Sequence, residues 1–196
     1  TLTDAVAITN SVTGQIIPGK LEGTNFGGSL LVGHSTFGGA GNAQFNTSVG
    51  LLALDALTSG DENSVLGYQA GSAINSGTQN VIIGGQTMQY GSNSTRNTAL
   101  GYQAGRNISG NDNIVLGNEA GENITSGAGN VIIGSVNAGS ATGNRQLIIA
   151  GNDESTTTTW ISGDSSGNVT VGGTLSTSSG LVAAQADVTA LAIALG

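Results

Sequence analysis

The feature that most constrains this chain is a repeat of the form N-x-h-h-G, where h is usually aliphatic. Its opening asparagines are Asn46, Asn63, Asn80, Asn97, Asn113, Asn130 and Asn144, spaced 17, 17, 17, 16, 17 and 14 residues apart. One more step of 17 back from Asn46 lands on Ser29, which opens SLLVG in the same phase. A fixed short period is the mark of a solenoid, in which each coil stacks on its neighbours and cannot bury its apolar face alone.

The phase assigns a task to each position. Position five is always glycine: Gly33, Gly50, Gly67, Gly84, Gly101, Gly117 and Gly134. Glycine there predicts a corner after a short strand, where the backbone needs unusual angles or another backbone passes close by. The opening asparagine suits the preceding turn, and stacked Asn side chains can hydrogen-bond along a ladder. Position four is always aliphatic: Val32, Val49, Leu66, Ile83, Leu100, Leu116 and Ile133. Position three is mostly so, as Leu31, Val65, Ile82, Val115 and Ile132, with the smaller Ala99 and with Ser48 as the exception. Leu57, Ile74, Ile108 and Ile124 recur later in the unit and are expected to begin a return strand, with YQAG or NEAG as the outer corner between.

Successive residues of a strand face opposite sides. Positions three and four are therefore apolar on both faces, and such a strand is buried on both. One face fills the coil; the other needs a second cover. A 17-residue coil at about 3.3 Å per residue closes only a thin loop, so the core of one chain is thin as well. Self-association answers both needs, and three chains around a common axis is the expected arrangement.

Composition agrees with a repeat and narrows the functions. Glycine accounts for 34 of 196 residues and charged residues for 8%, against about 25% charged in ordinary soluble domains. With 37% hydrophobic residues and one proline, the chain is neither disordered nor collagen-like. Four basic residues stand against twelve acidic ones. Lys20, Arg96, Arg106 and Arg145 are scattered, which speaks against nucleic acid. No cysteine is present, so there is no disulfide framework and no thiolate chemistry. No apolar run reaches the ~18 residues of a membrane span, and no signal-peptide pattern opens the chain. It begins with Thr1, so a piece of a longer protein is expected.

With the phase in hand, the units NSVLGYQAG, NTALGYQAG and NIVLGNEAG resemble the head repeats of trimeric autotransporter adhesins. That resemblance covers about residues 29–150 and implies a parallel β-roll in an intertwined trimer. The unit here is longer than that family's commonest one, so the corner loops must differ. The flanks, KLEGTNFGGSLLVG and NRQLIIAGNDESTTTTWISGDSSGNVTVGGTLSTSSG, are similar to segments of bacteriophage tail-fibre and related virion fibre proteins. This implies a homotrimeric fibre. The C-terminal text LVAAQADVTALAIAL places Leu181, Val188 and Leu195 seven apart, with Ala184 and Leu191 between. Two heptads predict a short amphipathic helix or the start of a coiled coil.

Candidate chemistry is sparse. His34, the only histidine, falls at a corner and reads as a surface residue. Glu119 and Glu122 in NEAGEN could suggest the paired carboxylates of a glycoside hydrolase. They occupy a corner where other copies have Gln69, Gln103, Ser72 or Arg106, so a solvated corner is the plainer reading. Asp61, Glu62 and Asp112 sit in oxygen-rich turns that could hold calcium, but turn chemistry explains them as well, and no unit has the dense acidic pattern of calcium-binding repeats. No phosphate-cradling glycine motif is present. Threonine at 47 and 98 with Ser64 is too broken an array for an ice-binding face. Tyr68 and Tyr102 are equivalent corner residues, followed by Gln69 and Gln103. They are the candidates for surface contact with a sugar or a protein, against packing on a neighbouring subunit. Trp160 is expected in a packed β-segment.

The expectation is thus an all-β, trimeric parallel β-roll or β-solenoid with ~17-residue coils. A β-rich adaptor precedes it (1–28), the roll spans 29–150, a β-segment covers 151–180, and a helix or coiled-coil start follows (181–196). The expected role is structural: a homotrimeric fibre or appendage of a virus particle serving host attachment. It is expected to be no enzyme and to use no cofactor and no metal. Its partners are expected to be itself, other virion proteins and a host surface glycan or protein, with no nucleic acid and no membrane insertion. The alternative is the head of a bacterial trimeric surface adhesin.

Overall fold

Each coil contributes three extended residues and then turns. The computed structural model describes residues 8–9, 16–17, 19–21, 29–32, 42–174, 176–177 and 180–181. Its strands are β1 (Ile8–Thr9), β2 (Ile16–Ile17), β3 (Gly19–Leu21), β4 (Leu30–Val32), β5 (Thr47–Val49), β6 (Ser64–Leu66), β7 (Val81–Ile83), β8 (Thr98–Leu100), β9 (Ile114–Leu116), β10 (Val131–Ile133), β11 (Leu147–Asn152), β12 (Thr157–Gly163), β13 (Val169–Val171), β14 (Ser176–Thr177) and β15 (Gly180–Leu181). Strands β3 to β13 form one sheet of 11 strands in chain order. From β4 to β11 all neighbours are parallel. β3 closes one end antiparallel, and β12 and β13 close the other. The molecule is an all-β solenoid, and the described residues contain no helix.

The expected return strand does not form. Leu57, Ile74, Ile108 and Ile124 are fully buried, yet they lie in turns, not in a second sheet. The reason is backbone handedness. Position seven is left-handed in the five coils that open at Asn46 to Asn113 (Leu52, Gln69, Gln86, Gln103 and Glu119), as is the residue before each asparagine, such as Glu62, Gln79, Arg96 and Asp112. A left-handed residue breaks an extended run. The strain at non-glycine residues is held in place by stacking. Gln86 N–H donates to the Tyr68 carbonyl at 2.8 Å, Gln103 N–H to Gly85 at 3.0 Å and Glu119 N–H to Tyr102 at 2.8 Å. The backbone ladder between coils thus continues round the corner without strand geometry, and the buried amides stay paired.

Position three points inward. Leu31, Ile82, Ala99, Val115 and Ile132 are fully buried, and Val65 is nearly so. Opposite them lie Leu54, Leu57, Ile74, Met88, Ile108 and Ile124. The core is one layer thick, so volumes trade within a coil. The coil with the small Ser48 carries Leu54 as well as Leu57, and the coil with Met88 has Gly91 where its neighbours have isoleucine.

The last rung departs from the expected pattern. The residue stacked after Asn130 is Gln146, not Asn144, because β11 pairs Leu147 with Val131. Gln146 sends its own N–H and its Nε2 to Asn130 Oδ1, at 2.9 and 3.1 Å. Asn144 instead accepts a bond from the Ala128 N–H at 2.8 Å. A coil of 16 residues with a longer amide reaches the same rung. Trp160 lies in β12 as a strand residue, but it is 54% exposed and not packed inside. It is the extra residue of a bulge, where Ile149 pairs with Ile161 and Ala150 with Thr159. Leu181 ends a two-residue hairpin strand. The rest of the expected helix, like Gly33 and His34, lies outside the described residues.

Candidate interaction surfaces of the roll

The asparagine ladder is the spine of the structure. Asn46, Asn63, Asn80, Asn97, Asn113 and Asn130 are all fully buried. Each Oδ1 accepts two bonds from the next rung. Asn63 Oδ1, for example, takes the Asn80 N–H at 3.1 Å and Asn80 Nδ2 at 2.9 Å. Most of the Nδ2 groups also donate to a carbonyl late in their own coil, as Asn63 does to Gly77 at 2.9 Å and Asn80 to Ser94 at 2.8 Å. Ser29 Oγ serves as the first rung, accepting the Asn46 N–H at 2.8 Å. Asparagine suits the inner rungs because its short uncharged amide accepts two bonds from the next rung through Oδ1 and donates through Nδ2.

The glycines Gly50, Gly67, Gly84, Gly101, Gly117 and Gly134 turn the chain with positive φ. A Cβ on Gly67 would overlap the Gly84 carbonyl, and one on Gly84 the Gly101 carbonyl. In the last coil the equivalent residue is Ala150, where the chain reverses into β12 and no further parallel coil follows.

The other face of the strand carries position four. Cross-strand partners share a face, so register alone defines one continuous row: Val32, Val49, Leu66, Ile83, Leu100, Leu116, Ile133, Ile149, Ile161 and Val171. Every member is aliphatic. At ~4.8 Å per strand the row is about 43 Å long. Leu66 is 50% exposed and Leu100 48%. The row passes without a break from the roll into the antiparallel strands beyond it.

A third surface lies at the corner. Tyr68 and Tyr102 are both half exposed, as is Tyr90 on the adjacent turn. Gln69 and Gln103 lie beside them in a line with Gln86. Gln103 Nε2 donates to Gln86 Oε1 at 2.8 Å, and Gln86 Nε2 to Gln69 Oε1 at 3.3 Å. Sequence reading did not find Gln86, Gln89, Tyr90 and Arg106 as members of this patch. Their link to it is stacking, which joins residues 16 to 20 apart, as in the Gln89 Nε2 bond to Gln69 Oε1 at 2.9 Å.

The acidic candidates are engaged in coil-to-coil contacts. Asp61 Oδ1 accepts the Gln44 N–H at 2.6 Å, and Glu62 Oε2 accepts from Gln79 Nε2 at 2.8 Å. Asp112 forms a two-pronged pair with Arg96 at 2.6 and 2.9 Å. That pairing holds the Asp112 carboxyl below, and the Arg96 guanidinium above, their ordinary ranges. Glu122 lies 3.7 Å from Arg106. Glu119 and Glu122 line a shallow polar concavity with Glu154 and Asn152.

Comparison of the chain with known protein families, with characterised proteins and with solved structures returns no match.

Proposed function

We propose that this chain is a structural segment of a homotrimeric fibre or appendage of a virus particle, serving attachment to a host, without catalytic activity. The observation that carries the reading is the aliphatic row from Val32 to Val171, half open to solvent on a single chain. A long exposed apolar strip marks an interaction surface. This one runs from β4 to β13 and is widened on the same face by Leu30, Val81 and Ile114, which suits identical faces meeting along an axis. Closed symmetry would place each residue against its own copies and cover the row with no other protein. Stacked coils fixed by a buried amide ladder provide length and stiffness, which is what an appendage needs. Three copies of any weak contact on one stiff body would add avidity.

The mass of the whole chain in native buffer tests the assembly: three times the 19.2 kDa chain is expected. A stable monomer would sink it. Gold-labelled antibody against the chain tests the location. Labelling of thin projections on virus particles is expected, and labelling of bacterial surfaces instead would favour the adhesin alternative.

A further inference from the structure

All three tyrosines of the chain lie around one patch. Tyr68 and Tyr102 flank Gly85 on one edge, and a Cβ on Gly85 would sit 3.5 Å from the Tyr102 ring. Tyr102 is pinned there, because its hydroxyl donates to Gln86 Oε1 at 3.1 Å. Tyr90 borders the other edge and is pinned too. Arg106 donates to its hydroxyl at 3.1 Å and sits 5.0 Å from its ring centre. Between the edges runs a floor of glutamine amides. Arg106 is fixed on the floor by Gln89 Oε1 at 3.1 Å and is paired with Glu122.

We infer that this floor between tyrosine edges is a binding site for a neutral, extended, β-linked glycan lying along the axis of the roll. Half-exposed aromatic faces stack on the C–H faces of pyranose rings. Amides set side by side offer a donor next to an acceptor, which is what vicinal hydroxyls and N-acetyl groups require. Tyr68 and Tyr102 are two coils apart, about 9.6 Å at ~4.8 Å per strand, a span comparable with a disaccharide. The pinned rings and amides are ordered before binding, which lowers the entropic cost. Charge selects a neutral ligand: the patch's one cation is paired, and the chain carries −8 overall. A protein partner fits less well, since the floor is built of glutamine amides and a paired guanidinium and an anchor residue needs an apolar lining.

This inference builds on the attachment role proposed above and names the chemistry it would recognise. The full chain in its native assembly is titrated with chitohexaose and with cellohexaose by calorimetry, and native mass is recorded for every variant. Binding of at least one hexasaccharide is expected. It should weaken at least tenfold in the double variant Tyr68→Ala/Tyr102→Ala and stay unchanged in Thr170→Ala, an exposed residue of β13 away from the patch, at constant assembly mass. Absence of binding by both sugars at millimolar concentration overturns the inference, as does binding that ignores the tyrosine substitutions. A change of assembly mass in the tyrosine variant also overturns it, since the rings would then be subunit contacts. None of these outcomes decides the assembly state of the unaltered chain, which the mass measurement tests by itself.

Discussion

Asn80 Oδ1 accepts two hydrogen bonds from Asn97, one from its backbone N–H at 3.0 Å and one from its Nδ2 at 3.2 Å. Both residues are fully buried, so neither donor could turn to water. Asn80→Ala leaves the Asn97 N–H and the Ser94 carbonyl without partners. Each unsatisfied buried group costs about 1–3 kcal/mol, so a loss of about 3 kcal/mol or more is expected on chemical denaturation. Asn80→Asp should be worse, because the new oxygen would face Asn63 Oδ1 and the Ser94 carbonyl with a buried charge. Loss of amide protection should centre on the coils either side of the changed rung.

Gly67 and Ala150 hold equivalent positions in their coils and should respond to substitution to very different degrees. Gly67 has φ +139 and faces the Gly84 carbonyl. Gly67→Ala therefore combines a disallowed backbone region with a steric overlap, and a loss of about 3 kcal/mol or more is expected. Ala150 meets no following parallel coil, so Ala150→Gly should cost only the ~0.5–1 kcal/mol of added chain entropy. Equal losses at the two sites would contradict the reading of the glycine as a stacking requirement.

The difference between what the sequence reveals and what it hides follows from where each signal is stored. Asn63, Gly67 and Val65 repeat at one phase because every coil needs them, and their roles were legible. So was the conflict of two apolar faces at Val65 and Leu66, which the structure resolves with Val65 inside and Leu66 outside. The corners were not legible. Gln69, Gln103 and Arg96 adopt left-handed angles although their residue types carry no such signal; stacking imposes it. That hidden handedness is why Ile74 and Ile108 suggested a strand and form turns. Gln146 escaped notice because a rung can be filled by a longer amide on a shorter coil. The patch around Gln86 was hidden for a related reason: its members meet only once the register between coils is known.

Leu66 and Leu100 belong to the open aliphatic row, and covering a half-exposed leucine contributes about 1 kcal/mol. Leu66→Asp with Leu100→Asp should leave the coil intact, because both side chains point outward. In a trimer the pair places two rings of three like charges at the axis. The expected result is a shift of native mass from three chains to one, with the parallel-sheet circular dichroism retained at low temperature. Val65→Asp is the contrast: its side chain is 4% exposed, and the substitution should unfold the roll outright. If the double aspartate variant keeps the mass of the unaltered chain, the row is not the contact surface.

Acid should separate the roll from the strands that follow it. The turn between β11 and β12 is tied by Asp153, which accepts from the Thr156 N–H at 2.8 Å and from Ser155. The turn between β12 and β13 is tied by Asp164, which accepts from Asn168 Nδ2 at 2.8 Å and from the Asn168 N–H at 3.0 Å. These bonds hold both carboxyls below their ordinary range. A depressed carboxyl stabilises the fold above its unfolded pKa, and the contribution is lost as pH falls through the folded value. The turns should therefore loosen below the usual carboxylate range. The amide ladder from Asn46 to Gln146 has no group that titrates there. Hydrogen exchange followed from neutral to acid pH, corrected for the intrinsic rate, should show β12 and β13 losing protection while Asn80 and Asn130, away from the Arg96–Asp112 pair, keep theirs. Asp164→Asn should bring the β12–β13 change to neutral pH. Simultaneous loss across the roll and the turns would show that the carboxylates do not act locally.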